Sequence, residues 1–542
     1  MESGPRLPAP TAPDQLGSLL DAIESEIEAA GGAAAGRHFD LHDGWRLHRG
    51  VSGVLYAFTA ELLIPLQPET PIQLRERDET AAGALIAVDD FDVLVQLDED
   101  RGERIAVASM TTRPAFILEA LRDRLLECSP SAGAAGLLSG ASPVVSGSND
   151  SSASETSQLL EQLADPGLVP NEAQRQAMSR IAGSNLHFVW GPPGTGKTAN
   201  VAQVVRMLVA AGERVLVLAH ANVAVDVAML RIADAFRGTD QLALGRIVRL
   251  GTPQHPDAAA RDEILVDGIL GRLDPGRMLE RSELEARRRK LADKLRSASD
   301  DGTRDELFAE LHRVRNELSR LRAEHKQMAD EVVQEAAVVG ATLSRLVLSS
   351  ALWTRAADAV LLDEASMISI PWVIAAATRA SRRLAVFGDF RQLPPVFVSE
   401  KKSARRWLGQ DAFDLVGIRA RVDEGDQSDE RVTMLETQYR MALPIGTAVS
   451  QLAYGGRLKT DPAAAERSAR LAAVPPHPGT SLLLVDTSLL RSACQLEATR
   501  LSLSRVNPVH VLLGLSLSRV SSSRRPRSSL RIARRPGCLP PA

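Results

Sequence analysis

Cysteine is nearly absent from this 542-residue chain. Cys128, Cys494 and Cys538 lie far apart with no Cys-x-x-Cys pair, which excludes a disulfide framework and a zinc site and suits a reducing cytoplasm. No apolar stretch reaches the roughly 18 residues of a spanning helix. Nor does the start of the chain offer the basic segment and apolar run of a secretory leader. The expectation is a soluble, cytoplasmic protein with no membrane association. Lysine is scarce too, seven residues against 57 arginines, an imbalance that fits a GC-rich coding bias better than selection for guanidinium contacts. A formal net charge of −4 excludes a globally basic surface, so any nucleic-acid surface must be local. The length exceeds what one core accommodates, and about two to four domains are expected.

Residues 1–36, rich in Ala, Gly and Pro, read as a disordered or loosely helical arm, with one short amphipathic stretch from Leu16 to Ile27. From 37 to 128 the pattern becomes short β-prone runs separated by Pro, Gly and Asp turns. These are Val54 to Leu63, Ile72 to Arg75, Ala84 to Val88, Phe91 to Leu97 and Ile105 to Ala108, which predict a small β-barrel closed by a helix over Pro114 to Leu126. In it, Trp45, Tyr56 and Phe58 are candidates either to stack bases or to fill the barrel core. Residues 129–157 are a Ser/Gly/Ala linker with little to bury.

Beyond the linker, near-continuous apolar runs alternate with helical segments: Leu186 to Trp190, Val215 to Leu218, Ile247 to Leu250, Val338 to Ala341, Ala359 to Leu362 and Leu384 to Phe387. That alternation predicts an α/β core with a parallel sheet covered on both faces. One charged helical segment, about 275–335, interrupts it. Leu307, Leu311, Val314, Leu318, Leu321, His325 and Met328 follow alternating steps of four and three, a 3.5-residue seam of coiled-coil type. With 297–303 as the turn, an inserted antiparallel hairpin is expected in which Leu284, Leu291 and Leu295 face the second helix. It reads either as a solvated structural arm or as a contact for nucleic acid or a protein partner.

Three segments carry chemistry. GPPGTGKT at 191–198 follows an apolar run and opens an amphipathic segment, the context of a phosphate loop. Gly191, Pro192, Pro193, Gly194, Thr195, Gly196, Lys197 and Thr198 would wrap a nucleotide's phosphates, with Lys197 reaching the β- and γ-phosphates and Thr198 holding Mg²⁺ through its hydroxyl. AVLLDEAS at 359–366 ends an apolar strand in two carboxylates. Asp363 would bind Mg²⁺ through water and Glu364 would orient and deprotonate the attacking water. GDFRQLPPV at 388–396 again ends an apolar strand, and the amide of Gln392 suits either the γ-phosphate or the attacking water.

GPPGTGKT, LLDEAS, GDFRQLPPV and Gln438-Tyr439-Arg440-Met441, in this order, resemble superfamily 1 helicases, in particular the 5′-to-3′ branch that includes the nonsense-mediated-decay RNA helicase and the Okazaki-fragment nuclease-helicase. The match runs from about Pro170 to about His510. The resemblance implies a RecA-like, P-loop AAA-type core that uses ATP and Mg²⁺ and acts on single-stranded DNA or RNA. It implies that Gln174 reads the adenine edge, that Tyr439 stacks on adenine, and that Arg440 touches the γ-phosphate from a second RecA-like domain, so that hydrolysis depends on closing a cleft. VLVLAHANVAVD at 215–226 occupies the family's first strand-binding motif. Asn222, Val225 and Asp226 match it, whereas His220 and Ala221 replace its proline and hydroxyl residue. Thr342 falls where a second strand contact is expected. The family also commonly carries a β-barrel and a helical stalk on its first core domain.

The expected layout is a first RecA-like domain over 158–400, an incomplete second one over 401–513 and a basic disordered tail over 514–542. The family's later Gln-Gly and Thr-Arg-Ala-Arg motifs do not occur. Ser481 to Asp486 reads as a strand and Ser504 to Pro508 as the start of a helix. From 499 to 542 there is no Asp or Glu but there are nine Arg, and LSLSRV occurs at both 501 and 515. A basic nucleic-acid-binding tail is one reading, and a truncated or frame-shifted frame is the other. The chain is therefore expected to be an ATP-dependent helicase or translocase, with an ATP-binding nucleic-acid-binding or scaffold protein of weak or no turnover as the alternative.

Overall fold

The computed structural model describes residues 12–32, 38–50, 53–60, 64, 71–76, 79–89, 91–112, 115–127, 169–251, 253–297, 301–426, 428–472, 496–499 and 502–505. The expected linker over 129–157, the expected strand at Ser481 to Asp486 and the tail over 514–542 lie outside them. The chain divides into two compact units, Met1–Glu436 and Thr437–Ala542.

In the first unit, helix α1 (Ala12–Gly32) precedes six antiparallel strands: β1 (His38–Gly50), β2 (Gly53–Ala60), β3 (Pro71–Glu76), β4 (Glu79–Asp89), β5 (Asp92–Leu97) and β6 (Arg104–Thr112). They close into a barrel in the order β1-β2-β5-β4-β3-β6. Alternation explains its filling, since Val93, Val95 and Leu97 of β5 point inward between less buried neighbours and join a core with Ile72, Leu74 and Met110. Tyr56 and Phe58 belong to this core, with the Tyr56 hydroxyl donating to the Asp100 carboxylate, while Trp45 is 49% exposed. Helix α2 (Phe116–Glu127) follows, close to its expected position.

Of the disordered or loosely helical arm expected over 1–36, residues 12–32 form a packed helix that contains and extends the amphipathic stretch from Leu16 to Ile27. Leu19, Ala22 and Ile23 of α1 are fully buried, and the Glu26 carboxylate accepts the Val398 and Ser399 N–H groups at 2.7 and 2.8 Å. The few apolar residues of α1 share one face, which is the face that packs.

The core sheet has seven strands: β7 (Leu186–Trp190), β8 (Val215–Ala219), β9 (Ile247–Arg249), β10 (Val338–Thr342), β11 (Ala357–Asp363), β12 (Ala380–Gly388) and β13 (Val432–Met434). Every neighbouring pair is parallel and the order is β13-β7-β12-β11-β8-β10-β9. Residues 401–436, expected to start the second domain, supply β13 and pack within the first unit. Helices α3 (Glu172–Gly183), α4 (Lys197–Ala210) and α5 (Asn222–Ala235) bury Ile181, Val205 and Ile232 against the sheet. The 275–335 segment is the expected hairpin, α6 (Pro275–Ser297) and α7 (Asp301–Glu335), closed by Leu291, Leu311, Val314 and Leu318, with Leu284 and Leu307 beside them. The side chain of Leu295 lies outside the described ones. Among the described residues no helix is long and apolar enough to cross a membrane.

The second unit contains a short parallel pair, Thr437–Gln438 with Lys459–Thr460, and helices Leu443–Ala453 and Pro462–Ala472. Where a helix start was expected at Ser504, Ser502–Arg505 instead pairs with Leu496–Thr499 as an antiparallel hairpin.

Candidate nucleotide site

The sheet order creates the site. β7, β12 and β11 are neighbours, so their carboxyl ends bring together segments that begin at 191, 388 and 363 in the chain. β7 is buried at every position and ends at Trp190, where the chain turns through the phosphate loop into α4. Two glycines are obligatory there. A Cβ on Gly191 would lie 2.2 Å from Lys197 Cγ, and Gly196 has φ +81° with a virtual Cβ 3.0 Å from Gln174 Nε2. Thr195 Oγ1 donates to Pro192 O at 2.8 Å, closing the loop on itself. Lys197 Nζ folds back to donate to Gly191 O at 2.7 Å and lies 4.0 Å from Glu364 Oε1, and Thr198 follows it, half-buried in the first turn of α4.

Gln174 is buried behind this loop. Its Oε1 accepts the Asn171 N–H at 2.9 Å, the Asn171 side chain accepts the Gln174 N–H at 2.9 Å, and its Nε2 donates to Thr195 O at 3.4 Å. The Asn-x-x-Gln spacing is a capping box, so this glutamine both starts α3 and braces the loop.

Asp363 ends β11 with 2% exposure, and Glu364 turns left-handed at φ +52°. An L residue in that region is strained by about 1–2 kcal/mol. Burial, then the Glu364 charge, push the Asp363 carboxyl up to about 6 against the opposing pull of Lys197. Next to it, Gln392 Nε2 donates to Asp389 Oδ2 at 2.8 Å, and the fully buried Asp389 also accepts the Trp190 indole N–H at 3.0 Å.

Asn222 and Thr342 stand at the carboxyl ends of β8 and β10, which are paired through Thr342 and Ala219. Asn222 Oδ1 accepts from Arg249 Nη2 at 2.8 Å, and Arg249 is held in turn by the fully buried Asp226 at 2.8 Å. Thr342 caps helix α8 (Leu343–Leu348), its hydroxyl accepting the Arg345 N–H at 3.2 Å. In the second unit, the buried Gln438 accepts the Arg440 and Met441 N–H groups at 2.9 and 2.6 Å and donates to Thr460 Oγ1 at 2.9 Å. It thereby shapes the turn that carries Tyr439, 37% exposed, and Arg440. Trp190, Asp389 and Arg249 carried no signal as site residues: an apolar strand end, a turn aspartate and a lone strand arginine are common in any α/β chain.

A glycine loop between a buried strand and a helix, with two carboxylates and a glutamine at the adjoining strand ends, defines a P-loop NTPase core. An AAA domain family model matches residues 170–400. The hamster (Mesocricetus auratus) DNA-binding protein SMUBP-2 is 29% identical over 58% of this chain and 30% of its own length. The DNA replication ATP-dependent helicase/nuclease dna2 of Schizosaccharomyces pombe is 25% identical over 55% of the chain and 16% of its own length. The ATP-dependent helicase NAM7 of Saccharomyces cerevisiae is 28% identical over 53% of the chain and 26% of its own length. The chain thus spans less than a third of the length of these relatives. These matches support a superfamily 1 helicase of the branch that includes NAM7.

Proposed function

We propose that the chain is an ATP-dependent, Mg²⁺-dependent translocase or helicase motor that acts on single-stranded DNA or RNA. The observation that carries this is the convergence of Lys197, Asp363, Glu364 and Gln392 at the ends of three adjacent strands. The residues fit a triphosphate with a divalent cation. Lys197 parks its ammonium on a backbone carbonyl that phosphate oxygens would replace, and Asp363 has a buried carboxyl whose ionisation a cation would favour. Thr198 in the first turn of α4 and Asp363 at the end of β11 would be the protein's ligands for Mg²⁺. When bound, ATP supplies the phosphoryl group for transfer to water, and Mg²⁺ neutralises its charge.

Glu364, on the outer side of the left-handed turn, takes the proton of the attacking water. Gln174 contacts adenine, while Tyr439 and Arg440 enter as nucleotide contacts through the family motif. Asn222, held by Arg249, and Thr342 are the candidate strand contacts, and the hairpin is a candidate partner surface.

Steady-state ATP hydrolysis with and without single-stranded DNA or RNA tests the proposal. Stimulation by a strand is expected, with Lys197→Ala and Glu364→Gln each lowering turnover at least about 100-fold and Glu364→Gln still binding nucleotide. Strand-independent turnover, or an undiminished Lys197→Ala, refutes it. ATP-dependent strand binding without turnover would assign the chain instead to an ATP-gated grip or scaffold.

A further inference from the structure

We infer that Trp190 is a positioning residue for Gln392, acting through the buried carboxylate of Asp389, and that this relay fixes which end of the Gln392 amide faces a bound nucleotide. The inference deepens the nucleotide-site reading above and rests on it.

Chemistry dictates the order of the relay. An indole N–H only donates and an ionised carboxylate only accepts. Trp190 Nε1 donates to Asp389 Oδ1 at 3.0 Å, the Arg391 N–H donates to the same oxygen at 3.2 Å, and Gln392 Nε2 donates to Oδ2 at 2.8 Å. The amide oxygen of Gln392 has no bond to make with Asp389, so the nitrogen must take that place. Gln392 is exposed and would otherwise sample both amide orientations. Its Oε1 is therefore the outward acceptor. A phosphate oxygen is also an acceptor and cannot bond it, whereas an attacking water can donate to it.

The relay is built into rigid surroundings. Trp190 and Asp389 are 2% and 0% exposed, and the Trp190 ring lies 4.5 Å from Phe390, which packs on Phe413 at 5.4 Å. The Gly191 N–H donates to Gly388 O at 2.9 Å, joining the first residue of the phosphate loop to the residue before Asp389. A Cβ on Gly388 would come within 2.9 Å of Phe413 and 3.0 Å of Ser366 N, which explains why this turn approaches so closely. Without its indole N–H, residue 190 still fills the strand end but no longer orients Asp389.

Indole-15N labelling of the full chain tests the relay without requiring turnover. The five tryptophans give five indole N–H signals, and Trp190→Phe identifies one by its loss. That signal should exchange slowly with solvent and should move in Asp389→Asn and, to a smaller extent, in Gln392→Ala. The kinetic arm is a double-mutant cycle. Trp190→Phe should melt cooperatively, keep its KM for ATP within about twofold and lower kcat about tenfold, and Trp190→Phe combined with Gln392→Ala should be no slower than Gln392→Ala alone. Multiplying losses in the double variant, an unchanged kcat in Trp190→Phe, or a signal indifferent to Asp389→Asn overturns the relay. A chain without turnover that passes the spectroscopic arm would refute the motor and leave the relay standing.

Discussion

His187 is the second residue of β7, four residues before the phosphate loop, 2% exposed and with Nε2 2.9 Å from Thr433 Oγ1 of β13. Burial, with the Arg180 charge adding to it, pulls its pKa down to about 3. Between about pH 6.5 and 3 the unfolded chain therefore holds a proton here that the folded chain refuses. Its contribution to stability is complete above 6.5 and falls as the pH drops, by up to about 1.4 kcal/mol per unit. Asp411, which caps the short helix Ala412–Leu415, is pushed up to about 6 chiefly by burial. It works in the opposite sense, since the folded state keeps a proton that the unfolded state loses above about 4. The two effects overlap and offset each other in wild type, so removing the histidine should expose the difference. In His187→Gln the stability gap to wild type should move by about 2 kcal/mol in the variant's favour from pH 7 to pH 5, read from denaturant midpoints. Parallel pH curves would show that His187 already titrates normally in the folded state.

The 35-residue helix α7 runs almost directly into β10, and its end explains how a charged hairpin is fastened to an apolar core. No basic residue sits in its last turn. Its final carbonyls are instead satisfied by arginines from elsewhere in the fold. Arg355 donates to Val333 O at 3.0 Å and Ala336 O at 2.7 Å, Arg214 to Gln334 O, and Arg246 to Glu335 O at 2.9 Å. Arg355 is buried, and burial together with the Arg214 charge lowers its pKa to about 9. Arg355→Met removes a costly buried charge but strands two carbonyls, and the second effect should win by about 2 kcal/mol. Faster amide exchange at the C-terminal end of α7 would confirm this, and an Arg355→Met as stable as wild type would refute it. Sequence alone could not show this collar, because its members are scattered from 214 to 355. The hairpin itself was legible through its 3.5-residue seam, as were the core strands through unbroken apolar runs. β1 was not, since His38–Gly50 is largely polar and its two irregular registers, after His42 and after Arg46, break the alternation. β13 has only three residues and no run to detect. In the candidate site, the placement of 191–198 between a buried strand and a helix, and of Asp363 and Glu364 at a strand end, was readable because it is set by local sequence. The Asn222 partner Arg249 was not, because strand order rather than sequence proximity supplies it, and Asp389, three residues before Gln392, read only as a turn aspartate.

Within the first unit, the barrel is bounded by two helices that both dock on the core. α1 leads into it and α2 leads out, and Arg122 of α2 pairs with Glu24 of α1 at 2.7 Å. α2 is held by Arg124, which donates to Val347 O at 3.1 Å and lies over the Trp353 ring. α1 is held more than 370 residues along the chain: Glu26 grips the Val398 and Ser399 N–H groups, Ser18 accepts the Trp407 indole N–H at 2.9 Å, and Glu28 pairs with Lys401 at 2.6 Å. The ion pair is exposed and contributes little. Glu26 is different, being 8% exposed and the acceptor for two backbone donors on the segment that follows the Gln392 turn. Glu26→Ala leaves both donors unmatched at about 1–3 kcal/mol each, whereas Glu28→Ala should cost less than about 0.5 kcal/mol. The loss should appear locally, because Lys401 and Lys402 adjoin the freed segment and offer trypsin its sites. Digestion of Glu26→Ala should cut at these lysines about tenfold faster than wild type, while Glu28→Ala should digest at the wild-type rate. Equal cutting in wild type and Glu26→Ala would mean that Leu19, Ala22 and Ile23 hold α1 through apolar burial and that the carboxylate clamp adds nothing to the attachment.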